Sequence, residues 1–254
     1  MATEPQIALI TGANRGIGSE LARTLARDHN FHVILGSRLP ELGSVAAADL
    51  QREGLAASFV TLDLSSDDST PTAIMTIEQS CGHIDVLVNN AGVMLQTGQG
   101  DHLTIRRQAF QDSFNINITG SALLTDACIP LLSKSSVPRI LFMSSTLGSI
   151  TTRLDSGNIW DFMNFVPYRS SKAALNMIAA HYANRYKEQG WKVVTVCPGY
   201  VKTRMVGFDG DLTTEERCRT LSKCVRLGRM EKQERLHAWT ERCLGEVFMN
   251  RCNV

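Results

Sequence analysis

The stretch Thr11-Gly12-Ala13-Asn14-Arg15-Gly16-Ile17-Gly18 lies between an apolar run at residues 7–10 and a segment at residues 20–26 whose leucines recur at helical spacing. This order predicts a buried strand, a glycine-rich turn and a helix. The glycines permit a tight turn and let the backbone approach an anion at the N-terminus of the helix. The stretch therefore predicts a site for the pyrophosphate of a dinucleotide, the alternative being a glycine-rich loop without a ligand. Its candidate contacts are Gly12, Asn14, Arg15, Gly16, Ile17 and Gly18.

The end of the second predicted strand, residues 31–35, indicates which dinucleotide is bound. In units that bind NAD, an acidic residue about 20 positions beyond the glycines accepts hydrogen bonds from the ribose hydroxyls. This chain has Gly36-Ser37-Arg38 at that place. Arg38 can bind a 2′-phosphate, with Ser37 donating a hydrogen bond and Arg15 adding a second cation. The sequence therefore favours NADP(H) over NAD(H), the alternative being that both arginines are only solvated.

The next predicted elements are a helix at residues 41–53, a strand at residues 58–62 and a helix at residues 70–80. Asp63-Leu64 follows the strand, where an aspartate facing a cofactor crevice can accept a hydrogen bond from an adenine amino group. The same side chain can equally cap the next turn, and its position alone does not decide between the two roles.

Tyr168 and Lys172 stand four residues apart in a predicted helix over residues 166–186, so both side chains lie on one face. A phenol has a reference pKa of about 10, and a neighbouring ammonium favours the phenolate and lowers that pKa. The pair is a candidate general acid and base. A solvated helix edge is the alternative for this spacing taken by itself.

Several motifs in series resemble those of the short-chain dehydrogenase/reductase family. They are the glycine-rich stretch, the Asn89-Asn90-Ala91-Gly92 sequence after a predicted strand at residues 84–88, Asn117, Ser145, Tyr168 with Lys172, and Pro198-Gly199 with Thr203. They occur in the family's order over about residues 5–205. The resemblance implies a single doubly wound α/β Rossmann domain over residues 1–254, with a mostly parallel sheet of seven strands and an active site at their carboxyl ends.

The resemblance also implies roles for single residues. Asn90 closes over the adenosine side of the cofactor and steadies the central strand. Asn117 joins a proton relay through water to Lys172, which binds ribose and lowers the pKa of Tyr168. Ser145, after a strand at residues 139–143, holds the substrate oxygen, with Ser144 as the alternative. Further cofactor contacts are implied at Asn90, Ala91, Gly92, Tyr168, Lys172, Pro198, Gly199, Val201 and Thr203.

Two regions depart from the usual family pattern. Ser145 and Tyr168 are 23 positions apart, which implies an active-site loop insertion over residues 146–167 and resembles the carbonyl-reductase-like and C-factor-like branches. Its aromatic side chains form either a substrate wall or a cover over the core. Residues 206–254 are expected to hold a substrate lid and an atypical C-terminal region, with a capping box at Thr213 and Glu216, an added helix over residues 226–243 and a last strand at residues 245–249.

Composition narrows the classes of function. The 26 Lys and Arg residues nearly balance the 25 Asp and Glu residues, so no basic surface predicts nucleic acid or membrane binding. No apolar run approaches the roughly 18 residues that span a bilayer, and the first residues do not resemble a signal peptide. The seven scattered cysteines form no CxxC pair, which favours reduced thiols in a cytoplasmic protein and predicts no metal site.

Together these observations predict NADPH-dependent reduction of a ketone or aldehyde, with Tyr168 as the proton donor. The aromatic residues in the 146–167 loop suggest an aromatic or polyketide-type substrate. The alternatives are the reverse NADP-dependent alcohol dehydrogenase and a non-catalytic nucleotide-sensing or scaffold protein. The resemblance also implies a homodimer or homotetramer. The expected binding partner is a small carbonyl compound, the substrate.

Overall fold

The computed structural model of the chain describes residues 4–95, 107–155, 157 and 164–228. Six parallel strands form one sheet: β1 (Gln6–Thr11), β2 (Phe31–Ser37), β3 (Ala57–Thr61), β4 (Val86–Asn89), β5 (Arg139–Met143) and β6 (Lys192–Val196). The helices are α1 (Gly16–His29), α2 (Pro40–Arg52), α3 (Ser69–Cys81), α4 (Arg107–Phe114), α5 (Ser121–Leu132), α6 (Ile150–Leu154), α7 (Val166–Arg185) and α8 (Thr214–Leu227). A π-helix, Asn115–Gly120, joins α4 to α5.

Both faces of the sheet are buried, each in its own hydrophobic core. Alternate side chains of β1 point into the two cores. Ile7 and Leu9 pack into one core with residues of α3, α5 and α7. Ala8 and Ile10 pack into the other core with residues of α1 and α8. Parallel sheets covered by helices on both faces need continuous apolar strands, which explains the uninterrupted run that precedes the glycine-rich turn.

The strand order β3-β2-β1-β4-β5-β6 reverses direction between β1 and β4. In doubly wound sheets the crevice at such a switch point opens at the carboxyl ends of the strands, which is where ligands bind. The glycine-rich turn follows β1, and Asn90 follows β4 directly. The fold thus brings these two predicted cofactor segments to the same crevice.

The predicted doubly wound α/β fold is confirmed, with six described strands, all parallel, and the six strand predictions fall on β1 to β6. The predicted seventh strand at residues 245–249 and most of the added helix at residues 226–243 lie outside the described residues. The predicted capping box is present at the start of α8: Thr213 and Glu216 each bind the other's backbone N–H. Helices α4, α5 and α6 and the π-helix were not predicted.

Within the ranges that the structure describes, no helix is both long enough and apolar enough to cross a membrane. The same residues contain no cluster of three or more His, Cys, Asp or Glu side chains that could hold a metal ion. The described cysteines are free thiols: Cys81, Cys128, Cys197, Cys218 and Cys224.

Candidate active site

The glycine-rich turn is held against the end of β4 by Asn90. Its amide nitrogen donates to the Thr11 carbonyl at 2.8 Å, and the Thr11 hydroxyl accepts from the backbone N–H groups of Asn90 and Ala91 at 3.0 and 2.8 Å. A Cβ on Gly18 would stand 2.6 Å from the Asn90 amide nitrogen, so only glycine fits there. Gly12 has φ of +64°, which favours glycine as well. Asn90 therefore holds the turn against the end of β4, and its contact with the adenosine side of the cofactor stays a prediction.

The N-terminus of α1 is an available anion site. Arg15 is the N-cap residue and makes no side-chain cap hydrogen bond, and the first turn contains no acidic residue. The N–H groups at a helix start favour an anion both by hydrogen bonding and through the helix dipole. These features, together with the close backbone approach at Gly18, fit the pyrophosphate of a dinucleotide.

The residues predicted to bind a 2′-phosphate differ in their surroundings. Arg15 and Arg38 are both exposed, and within the described part of the chain neither guanidinium has a hydrogen-bond or ion-pair partner. Ser37 is buried, and its hydroxyl donates to the Leu39 carbonyl at 2.9 Å. In this conformation the Ser37 hydroxyl is used inside the β2–α2 connection, so its hydrogen bond to a 2′-phosphate stays a prediction that requires the hydroxyl to rotate. The two arginines remain the candidates.

The Asp63 side chain caps the turn after β3. Its Oδ1 accepts from the backbone N–H and the hydroxyl of Ser65 at 2.9 and 2.7 Å. This is the capping alternative for Asp63, and an adenine contact by the same half-buried residue stays a prediction. Leu64 is buried, and its carbonyl oxygen lies against Gly120, where a Cβ would approach it to 2.2 Å.

Asn117 projects from the π-helix into the space beside α7. Its Oδ1 accepts from the Val93 N–H at 2.8 Å, and its Nδ2 donates to the Val93 carbonyl and to the Ser171 hydroxyl, both at 2.9 Å. Asn117 is fully buried. A π-helix turn inserts one extra residue into a helix and often marks a functional site. Here it aims the amide at the Val93 backbone, in the segment that follows β4.

Lys172 is buried with its ammonium group at the end of β5. The Nζ donates to the Met143 carbonyl at 2.7 Å and lies 5.6 Å from the centre of the Tyr168 ring. A Cβ on Gly92 would lie 3.5 Å from this Nζ and 3.2 Å from the Asn117 Oδ1, which places the two side chains together. Burial lowers the pKa of Lys172 to about 8.

The pKa of the buried Tyr168 phenol is raised, mainly by burial and secondarily by Cys197, while a hydrogen bond with the Ser145 side chain lowers it. This direction is opposite to the lowering expected from Lys172, because burial is the largest cause of the shift. The Lys172 ammonium faces the Met143 carbonyl and the ring. Moving the phenolate out of water raises its free energy by more than these neighbouring groups lower it.

Ser144 and Ser145 point in different directions. Ser144 is buried, and its hydroxyl donates to the Asn176 side chain at 2.6 Å, inside the contact between β5 and α7. Ser145 is half-buried, accepts from the Leu147 N–H at 3.2 Å and contacts the Tyr168 side chain. Of the two serines, Ser145 is the one beside the phenol.

The segment after β6 forms the opposite wall of the crevice. Pro198 and Thr203 are half-buried, Val201 is buried, and Gly199 has φ of +74°. The segment is tied to residue 212, just before α8, because Val201 forms a bridge with Leu212 and the N–H of residue 202 donates to the Leu212 carbonyl at 2.8 Å. The backbone that is predicted to contact the nicotinamide is therefore anchored to the start of α8.

Comparisons with known proteins identify the family. A family profile described as short chain dehydrogenase matches residues 6–211. The chain belongs to the short-chain dehydrogenase family. The short-chain dehydrogenase/reductase eupG of Phoma sp is 34% identical over 233 residues, covering 83% of this chain and 81% of that protein.

Solved structures of short-chain dehydrogenases agree with the fold. NADPH-bound carbonyl reductase from chicken fatty liver is 26% identical, with a TM-score of 0.78 over 91% of this chain and 94% of that one. A short-chain dehydrogenase of Escherichia coli CFT073 complexed with NADPH is 28% identical, with a TM-score of 0.73 over 87% of this chain and 90% of that one. The present chain is accordingly an oxidoreductase of this family.

In this short-chain dehydrogenase the insertion before the tyrosine begins at a fixed point. Thr146–Gly148 forms a 3-10 turn, and a Cβ on Gly148 would come within 2.8 Å of the Lys172 backbone and Cβ. Helix α6 follows and exposes Ile150 and Leu154, 72% and 80% accessible. An open cavity of about 500 Å³ is lined by Ile150, Thr151, Thr152, Leu154 and Asp155. Trp160 and Phe162, two of the loop aromatics expected to form either a substrate wall or a cover over the core, lie outside the described residues.

Two site residues of this short-chain dehydrogenase were not found by sequence reasoning. The Cys197 sulfur accepts from the N–H groups of Thr146 and Gly199 at 3.3 and 3.4 Å, joining the segment after β5 to the one after β6. It also raises the pKa of both Tyr168 and Lys172. Ser171 holds the Asn117 amide and donates to the Tyr168 carbonyl at 2.7 Å. The only available signals were the place of Cys197 at a strand end and of Ser171 within the tyrosine motif.

Proposed function

We propose that this protein reduces a ketone or aldehyde to an alcohol with NADPH. The observation that carries the proposal is the convergence of Asn117, Ser145, Tyr168 and Lys172 at the carboxyl ends of β4 and β5. This group stands beside a glycine-rich turn that fits a dinucleotide. When bound, NADPH supplies the hydride; the protein supplies placement and proton transfer.

The chain offers several groups to hold the cofactor. The N-terminus of α1 and Gly18 accommodate the pyrophosphate, and the exposed guanidinium groups of Arg15 and Arg38 are available for a 2′-phosphate. The backbone around Val201, with Thr203, is assigned to the nicotinamide carboxamide. Lys172 is assigned to the ribose on the nicotinamide side.

Each catalytic residue has a separate task. Tyr168 donates its proton to the substrate oxygen, and Ser145, which hydrogen-bonds the phenol, orients that oxygen and stabilises the charge that develops on it. Lys172 supplies positive charge next to the phenol, and Asn117 supports the path by which the tyrosine is reprotonated. The raised pKa of Tyr168 means that the phenol carries its proton at neutral pH, as a proton donor must.

We expect reduction to decline in alkaline solution. Burial lowers the pKa of Lys172 to about 8, so its ammonium is present below that pH and is lost as pH rises through it. The kcat/KM for reduction, measured from about pH 6.5 to about pH 9.5, should therefore fall with an apparent pKa near the value for Lys172 in the free enzyme. In Lys172→Arg the guanidinium keeps its proton, so the residual activity should lack this alkaline decline. A wild-type profile that stays flat across this range contradicts the role of Lys172.

The proposed function is tested by following NADPH oxidation with a panel of aromatic and aliphatic ketones and quinones, with NADH in parallel. We expect turnover with NADPH and weaker binding of NADH, because Arg38 and Arg15 have no partner within the described residues and can pair with the 2′-phosphate. Arg38→Ala should raise the Kd for NADPH by about 10-fold or more and leave NADH unchanged. Arg52→Ala, an exposed arginine on α2, is the matched control.

Three outcomes of this panel contradict parts of the proposal. Equal affinity for the two cofactors in the wild type overturns the assignment of Arg38. Tight NADPH binding with no turnover on any carbonyl favours a nucleotide-sensing protein. Faster oxidation of the matching alcohols with NADP+ at neutral pH favours an alcohol dehydrogenase. The exposed apolar side chains of α6 support an aromatic or polyketide-type substrate, which the most rapidly reduced ketones should resemble.

A further inference from the structure

Arg217 lies in the first turn of α8, directly over the Pro198-Gly199 turn. Its Nη2 would be 2.9 Å from a Cβ on Gly199, so the missing side chain of that glycine is what admits the guanidinium. The next residue, Cys218, donates from its thiol to the Ile17 carbonyl at 3.5 Å, in the first turn of α1. Arg217 therefore stands between the two backbone segments that border the cofactor crevice.

The backbone on both sides of this guanidinium is held in place by its surroundings. The segment that carries Gly199 is tied to Leu212 by the Val201 bridge, and the capping box at Thr213 and Glu216 fixes the start of α8. Helices α1 and α8 pack against each other through a shared buried core. Arg217 thus belongs to a rigid part of the crevice wall.

Arg217 has no protein partner among the residues that the structure describes. Its Nε is buried and makes no hydrogen bond, and no carboxylate pairs with its guanidinium. Nearby charged groups are already paired: Glu20 with Arg23, and Arg219 with Glu215. A buried polar donor without a partner is costly, and a charged one more so. Such a group beside an anion site indicates that its partner is a ligand.

We propose that Arg217 binds the pyrophosphate of the dinucleotide from the side opposite the N-terminus of α1. A guanidinium can donate two parallel hydrogen bonds to a phosphate, and the helix N–H groups can satisfy the remaining oxygens. The proposal rests on the proposed function only in requiring that a dinucleotide is bound. It assigns Arg217 a task separate from that of Arg38, because a pyrophosphate is common to NADPH and NADH whereas a 2′-phosphate is not.

The test is a set of dissociation constants, measured by calorimetry for four ligands: NADPH, NADH, ADP-ribose and 2′-AMP. Arg217→Gln should weaken the first three by a similar factor, about 10- to 100-fold, and leave 2′-AMP unchanged, because only 2′-AMP lacks a pyrophosphate. Arg217→Lys, which keeps the charge but not the paired donors, should fall between Arg217→Gln and the wild type. Arg219→Gln, two residues along the same helix and exposed, should bind all four ligands like the wild type.

The other outcomes are distinct. Wild-type affinity for all three pyrophosphate ligands in a folded Arg217→Gln variant overturns the proposal, as does an equal loss of 2′-AMP binding. If that variant binds dinucleotides normally but shows a raised KM only for carboxylate-bearing ketones, Arg217 contacts the substrate and the proposal is likewise wrong. Failure of the wild type to bind any dinucleotide would instead refute the proposed function. That result is distinguishable from normal dinucleotide binding by Arg217→Gln, which refutes only the role of Arg217.

Discussion

Replacing Tyr168 with phenylalanine should lower turnover of a carbonyl substrate by about 10²- to 10⁴-fold, the usual contribution of a positioned general acid. The affinity for NADPH should remain within a few-fold of that of the wild type. The fold should tolerate the change, because the Tyr168 ring is buried and stays, and only its hydroxyl is lost. Single-turnover rates together with cofactor titration separate the two effects.

The control for this substitution is Tyr182→Phe. Tyr182 lies on the same helix, and its hydroxyl donates to Asp126 at 2.8 Å, away from the crevice. The two tyrosines are about 21 Å apart along the helix axis at 1.5 Å per residue. Loss of the second phenol should cost stability but not turnover. Near-wild-type turnover in Tyr168→Phe, or equal losses in both variants, contradicts the role of Tyr168 as proton donor.

Gly120→Ala should destabilise the protein by about 1–3 kcal/mol and reduce activity as well. Helix propensity alone would favour alanine by about 1 kcal/mol. Here, however, the added Cβ would stand 2.2 Å from the Leu64 carbonyl oxygen and 2.6 Å from the Leu64 Cβ, so backbone must move. Gly120 is the last residue of the π-helix that carries Asn117. A displacement of the Gly120 backbone should therefore also move the Asn117 amide.

Urea unfolding and NADPH oxidation measure the two consequences of Gly120→Ala. The matched control is Gly157→Ala, where, among the residues that the structure describes, the new Cβ would meet only an Asp155 oxygen at 3.6 Å, an ordinary contact. That variant should unfold like the wild type. A Gly120→Ala protein of unchanged or increased stability shows that β3 and the π-helix can separate at little cost, and the account of Asn117 placement then fails.

The parts of this molecule that could be predicted from sequence are those set by local patterns. The buried strands are predominantly apolar, since helices cover both faces of the sheet, and the strand at Arg139–Met143 was predicted to the residue. The turn after β1 was recognisable because its glycines serve backbone geometry and close approach. The capping box of α8 is likewise a local signature.

Features that depend on tertiary contacts could not be predicted. The turn that carries Asn117 is a π-helix whose last residue, Gly120, lies against Leu64, a contact between distant parts of the chain. The raised pKa of Tyr168 follows from its burial, and the sequence spacing of Tyr168 and Lys172 does not reveal how buried the phenol is. Arg217 is one of many charged residues in its helix, and only the fold brings it over Gly199.

The turn at Gly148 separates two parts of the protein that can change independently. Its backbone is in direct contact with Lys172, so the segment before it is held against α7 whatever follows. We expect that the predicted 146–167 insertion can change in length or composition without displacing the ammonium group or the phenol. Under the proposed function, we expect divergence or loop grafting at this point to alter which molecules the protein accepts while the chemistry it performs on them stays the same.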